Sequence, residues 1–193
     1  MKQNKGLTMN QYHSSLLSPV KLWIRNEILN QKPCPVPAAS GVYAWYFKQF
    51  PAMILTQDCH QQNNLTLLYV GIAPSRPQSS NNLRKRIKQH LRGNAYGSTL
   101  RLSLGCLLAD ELGIKLRCVG SSKRKTFGPG EATLSAWMAA NAFVTWTEHP
   151  EPWHLEDELI RELSLPLNLR GNERHPFYPQ LAALRKRHKA NAV

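Results

Sequence analysis

The chain has 193 residues, 42% of them hydrophobic, which is enough for one packed core and too little for two comfortable domains. It has no run of about eighteen apolar residues, and its opening MKQNKGLTMNQYHSS lacks the apolar stretch of a secretory signal, so a soluble cytoplasmic protein without a membrane partner is expected. The 25 Lys and Arg against 12 Asp and Glu leave a formal charge of +13, an excess that suits a polyanionic partner.

Residues 1–15 are polar and read as loose, whereas Leu16 to Asn30 reads as one helix with Leu17, Val20, Ile24 and Ile28 at helical spacing. KPCPVP at 32–37 ends it. GVYAWYF, opened by Ser40-Gly41, and LTLLYVGI at 65–72 are rich in β-branched and aromatic residues and read as two strands of one hairpin. From Asn81 to Arg92 a cationic helix carries Leu83, Ile87 and Leu91 four apart, with Asn81 or Asn82 placed to cap it and Gly93 to stop it.

A second helix is expected over Thr99 to Leu112, a short strand at KLRCVG (115–120), a loop at SSKRKTFGPG and a third helix over about 131–141. AFVTWTE at 142–148 alternates like a strand. Pro152 then starts a helix that Pro166 ends. The tail from Pro179 carries Leu181, Leu184 and RKRHK, a basic helix or frayed end. Cys34, Cys59, Cys106 and Cys118 form no CxxC and read as free thiols, and the seven histidines make no zinc-ligand spacing.

Charge is unevenly placed. Residues 81–130 hold eleven basic side chains (Arg84, Lys85, Arg86, Lys88, Arg92, Arg101, Lys115, Arg117, Lys123, Arg124, Lys125) against Asp110 and Glu111 alone, while 148–162 holds six of the twelve acids. A phosphate-binding surface beside a metal-binding carboxylate needs such separation, although a basic chain also binds nucleic acid without chemistry. Arg84, Lys85, Lys88, Lys123, Arg124 and Lys125 are the candidate phosphate contacts.

Around the helix from Pro152, residues fall 100° apart, so Trp153, Leu155, Leu159, Ile160 and Leu163 span one arc, and Glu156 falls in its middle. A carboxylate there is costly unless it is paired, protonated or bound to a cation. It is either a snorkelling or ion-paired structural group, or a metal ligand or acid/base. Arg86 and His90, at i and i+4, form one ridge that either grips a phosphate through the planar guanidinium or is a solvated cationic face. Tyr43 and Tyr69 are strand residues that either pack or react, Asn168 in PLN either closes a turn or lines a site, and Gly128-Pro129-Gly130 reads as a turn.

In order along the chain, Gly41-Val42-Tyr43, Tyr69-Val70-Gly71, Arg86 with His90, Glu156 heading EDELIREL, and Asn168 resemble the successive motifs of the GIY-YIG nuclease family, over residues 41–168. The resemblance implies an α+β fold, a small antiparallel sheet flanked by helices, in a catalytic domain at 38–175. A one-helix extension at 1–37 and a basic tail at 176–193 flank it. It implies an endonuclease that hydrolyses phosphodiesters, DNA favoured over RNA, through one divalent ion, Mg²⁺ or Mn²⁺. Glu156 binds the metal, Arg86 steadies the scissile phosphate, Tyr43 deprotonates the attacking water with Tyr69 or His90 nearby, and Asn168 helps fix the site. No obligate protein partner is implied. Valine replaces the family's isoleucine in both motifs, 25 residues separate Tyr43 from Tyr69, and Arg76 stands in for a lysine common after the second motif. The alternatives are a non-catalytic nucleic-acid-binding module on the same fold and an interaction protein whose charge serves assembly on RNA-rich complexes.

Overall fold

The computed structural model describes residues 8–120 and 124–192. In chain order its elements are α1 (Met9–Leu17), α2 (Arg25–Asn30), β1 (Gly41–Phe47), β2 (Gln61–Gln62), β3 (Leu65–Ala73), α3 (Leu83–Arg92), α4 (Thr99–Leu107), β4 (Arg117–Val119), β5 (Arg124–Thr126), α5 (Gly130–Asn141), β6 (Ala142–Glu148), α6 (Pro152–Glu162) and α7 (Tyr178–Ala190).

Every residue of β1 is buried, so this strand needs cover on both faces and a partner on both edges. It has them. The main sheet runs β2-β3-β1-β6 and is antiparallel throughout. Tyr43, Trp45 and Phe47 point to one side, into a core shared with α3, α4, α5 and α7. Val42, Ala44 and Tyr46 point to the other, against Tyr12 and Leu16 of α1 and Leu155, Leu159 and Ile160 of α6. The result is an α+β sandwich with helices on both faces of a small antiparallel sheet.

The 25 residues between Tyr43 and Tyr69 do not disturb the pairing of β1 with β3, which aligns Gly41 with Ala73 and Tyr43 with Gly71 before a bulge at Trp45/Tyr46. Part of the inserted length folds back as β2. Its tight turn to β3 uses Asn63 and Asn64 at φ 52° and 59°, the left-handed values a two-residue hairpin requires.

The expected single helix over 16–30 is two helices, and the loose start contains the first of them. Thr8 and Gln11 form a capping box that starts α1 at Met9. Pro19 lacks an N–H and disfavours helix at Ser18, so the chain leaves α1 extended, and Val20, assigned above to an apolar stripe, is fully exposed. Trp23 then bridges Val144 on the outer edge of β6. The segment read as one loop after residue 120 contains β5, paired with β4. The helix from Pro152 ends at Glu162, three residues earlier than the proline implied. Its cap residue Leu163 is already extended. Among the described residues no helix is long and apolar enough to cross a membrane, and the four cysteines are free.

Candidate active site

The register of β1 on β3 sets Tyr43 opposite Gly71 and Trp45 opposite Tyr69, so the two tyrosines lie diagonally on one face, ring centroids 6.4 Å apart. Gly71 is there for space: a Cβ at that position would stand 2.5 Å from the Tyr43 hydroxyl oxygen. Gly41 is equally constrained, because its Cβ would meet the Thr147 carbonyl oxygen at 2.2 Å.

Helix α3 lies across this face. Asn82 caps it by accepting the Lys85 N–H at 3.0 Å. Its Leu83, Ile87 and Leu91 are buried in the core, which turns the Arg86–His90 ridge toward Tyr43. Arg86 donates from Nε to Tyr43 Oη at 3.3 Å and from Nη1 to the Gly97 carbonyl at 2.8 Å and Gln89 Oε1 at 3.1 Å. Three anchors thus fix the plane of the guanidinium on the cleft wall.

His90 is fully buried, with Nε2 2.8 Å from Tyr43 Oη and Nδ1 2.7 Å from Ser98 Oγ. Ser98 Oγ accepts the Arg101 N–H at 3.1 Å, and among the described residues its only other partner is His90 Nδ1. A buried hydroxyl needs an acceptor for its proton, so Ser98 donates to Nδ1 and the ring proton sits on Nε2, donating to Tyr43 Oη. Burial, with Arg86 and Arg101 nearby, pushes the His90 pKa well down, which keeps the ring neutral. Tyr43 Oη therefore accepts two N–H donors. Burial, followed by Tyr69, holds the Tyr43 pKa well above its usual value, with Glu156 adding and Arg86 opposing.

A cleft of about 570 Å³ opens in front of these groups, bordered by Tyr43, Tyr69, Arg86, Glu156, Asn168 and Arg185. Glu156 enters from α6, on the other face of the sheet. The layers meet around β3 because β2 is only two residues long and leaves the far half of β3 an edge. Asn168 closes that edge: its Oδ1 accepts the Val70 N–H at 3.0 Å and its Nδ2 donates to the Val70 carbonyl at 2.9 Å. The side-chain amide thus substitutes for a neighbouring strand, and the Leu167 N–H donates to the Leu68 carbonyl beside it at 3.0 Å.

Glu156 makes no hydrogen bond and no ion pair among the described residues. Burial is the main reason its pKa rises to about 7, helped by Asp157 and opposed by Arg170 and Arg86. A carboxylate on the cleft wall with no hydrogen-bond or ion-pair partner among the described residues fits a hard divalent cation, which one carboxylate plus waters and substrate oxygens can hold. The ion-paired alternative for this residue has no partner among the described residues.

The fold places Tyr43, Tyr69, Arg86, Glu156 and Asn168 on one cleft, with His90 hydrogen-bonded behind Tyr43. The basic residues are more dispersed. Arg84, Lys85 and Lys88 line a separate groove with Arg92; Arg84 and Lys88 project from α3 roughly opposite to Arg86. Arg84 Nε donates to the Val36 carbonyl at 2.7 Å and Lys85 Nζ to the Ser80 carbonyl at 3.2 Å. Arg124 lies over the Tyr96 ring, 5.3 Å from its centroid, and Lys125 Nζ contacts the Lys189 carbonyl. Lys123 falls outside the described residues. Arg101, counted above with the basic surface, is fully buried and pairs with Glu131 Oε2 at 2.6 Å from Nη2, while Nη1 donates to the His90 carbonyl at 3.2 Å. Away from the cleft, His13, Glu158 and Glu162 approach one another with ligand atoms within 4.8 Å.

The family model described as GIY-YIG catalytic domain matches residues 41–187. No curated protein and no solved structure matches the chain.

Proposed function

The chain belongs to the GIY-YIG family, and from that premise we propose that it is a divalent-metal-dependent endonuclease that hydrolyses phosphodiester bonds, in DNA rather than RNA. The observation that carries this reading is the unpaired Glu156 carboxylate sharing one cleft with Arg86 and the Tyr43 hydroxyl. When held by Glu156, Mg²⁺ or Mn²⁺ would supply a Lewis acid for a phosphodiester oxygen and the leaving alkoxide.

The chain's own residues supply the rest. Arg86, fixed by three anchors on the cleft wall, faces the scissile phosphate and offsets the charge that grows there. Tyr43 is the base toward the attacking water. A phenol held above its usual pKa is protonated in the free protein, and offsetting the Glu156 charge removes one of the groups that keep it so. The Nε2–H of His90 and the Nε–H of Arg86 both point at Oη and stabilise the phenolate. His90 presents no free acceptor nitrogen, so its part is to position and polarise Tyr43. Tyr69 Oη, 3.3 Å from Thr99 Oγ1, completes the wall, and Asn168 holds the β3 edge on which Tyr69 sits. Free thiols are in keeping with a reducing compartment, and we place the activity in the cytoplasm.

Purified protein incubated with single-stranded, duplex and branched DNA and RNA, with Mg²⁺, Mn²⁺ or chelator, tests the reading. Metal-dependent strand scission of DNA supports it. Binding without scission in any metal favours the non-catalytic module.

A further inference from the structure

Two arginines of this chain lie in the layer of α4 and α7, Arg101 fully buried and Arg185 partly buried, and they are treated differently. Arg101 has its counter-ion built in, with Nε and Nη2 both donating to Glu131 Oε2 at 3.0 and 2.6 Å. Arg185 has none: its Nη1 reaches Ser103 Oγ at 3.4 Å, and among the described residues no carboxylate is in ion-pair contact with it. Withdrawing a cation even partly from water without an anion carries part of that desolvation cost. Burial accordingly lowers the Arg185 pKa, with Cys106 and Tyr69 the titratable groups that act against the shift.

The helix aims this side chain. Leu181 is fully buried in the core beneath α7, and Arg185 follows it by four residues, on the same helix face. Seating Leu181 therefore carries Arg185 to the cleft wall. Arg86 and Arg170 are the cations that draw down the Glu156 pKa, whereas Arg185 interacts with Tyr69. Arg86 acts on both tyrosines. The cleft wall thus carries the Glu156 carboxylate, Tyr69 and three arginines: Arg86 from α3, Arg170 from the segment after α6, and Arg185 from α7.

We propose that Arg185 is a second phosphate-binding arginine, taking the backbone phosphate next to the one held at Arg86, on the Tyr69 side of the cleft. The anion missing from the protein is the substrate's own phosphodiester. This assignment rests on the nuclease reading above for the identity of the central phosphate, and it makes residues 176–193 part of the catalytic unit rather than a tail.

The test uses oligonucleotides in which one linkage at a time is a neutral methylphosphonate, with affinity measured in chelator for the full-length parent, Arg185→Met and Arg185→Lys, each checked by thermal melting. The parent is expected to lose about tenfold in affinity at one linkage adjacent to the cleavage position. Arg185→Met should lose about as much on the all-phosphate strand, lose nothing more at that one linkage, and flatten the log K against log salt slope by about 0.7 to 0.9. Arg185→Lys should recover part of the affinity. A parent indifferent to every adjacent neutral linkage overturns the assignment without any variant. So does an Arg185→Met protein that remains sensitive at the same linkage, the result a purely structural arginine would give. A parent that shows the coupling but never cuts leaves Arg185 in place and removes the nuclease reading. A parent that neither binds nor cuts removes both.

Discussion

Burial holds the Glu156 carboxyl at about 7, so its proton is bound more tightly in the folded protein than in the unfolded chain. The stability this contributes is fully present below the ordinary carboxylate pKa of about 4.5 and is lost as the pH rises from there to about 7. Above that, the partly buried anion costs the metal-free fold on the order of 3 kcal/mol. Glu156→Gln removes the titration, so in chelator at pH 8 the variant should melt several degrees above the parent, and at pH 4 the two should coincide. A variant that melts lower at pH 8 would mean that the carboxylate has a stabilising partner. Arg86 allows a second test at the same scale. Its guanidinium serves Tyr43, Gln89 and Gly97 at once, which a lysine ammonium has no geometry to reproduce. Arg86→Lys should slow cleavage by about tenfold to a thousandfold with little loss of affinity; undiminished kcat would remove Arg86 from the reacting phosphate.

At the scale of elements, Asn168 and β3 depend on each other. The Asn168 amide pairs with both polar backbone groups of Val70, so Asn168→Ala leaves a buried N–H and carbonyl unpaired. Losing both bonds should cost about 2 to 4 kcal/mol, read as a lower denaturant midpoint, with cleavage falling because Tyr69 loses its support. A midpoint within experimental error of the parent would show that water or the backbone closes the edge unaided. The sequence makes some elements plain and hides others, for physical reasons. GVYAWYF and the Leu83, Ile87, Leu91 stripe announce themselves because one residue pattern decides one periodicity. The break between α1 and α2 was also written in the chain, at Pro19, but the apolar spacing of Leu17, Val20, Ile24 and Ile28 obscured it. Trp23 contradicts the helix for a reason no local pattern contains, since its partner Val144 lies 121 residues away. Gly71 reads as a motif letter, and only the β1–β3 register shows that its missing Cβ makes room for the Tyr43 hydroxyl.

For the molecule as a whole, charge is distributed by packing more than by sequence neighbourhood. The eleven cations of residues 81–130 read as one surface, yet Arg101 is a buried strut with Glu131, Arg84 and Lys88 leave α3 on the side away from Arg86, and Arg185, from the far end of the chain, joins the cleft. The candidate site was legible because its residues recur in order as motif positions. Arg185 and Ser98 were not, because an arginine in RKRHK and a serine before a helix have unremarkable local roles and gain their meaning from what lies across the fold. The sandwich brings Glu156 from one face to Tyr43, Tyr69 and Arg86 on the other, and the central claim is that this meeting exists to hold a metal against a phosphodiester. The most direct measurement follows cleavage, metal-free affinity and melting on one preparation each of the parent and Glu156→Gln, with Mg²⁺ or chelator. The parent should cut only with metal. The Glu156→Gln protein should fold, bind nucleic acid in chelator at least as tightly as the parent, having lost a partly buried negative charge beside the phosphates, and not cut. A folded Glu156→Gln protein cutting at the parental rate would contradict the central claim.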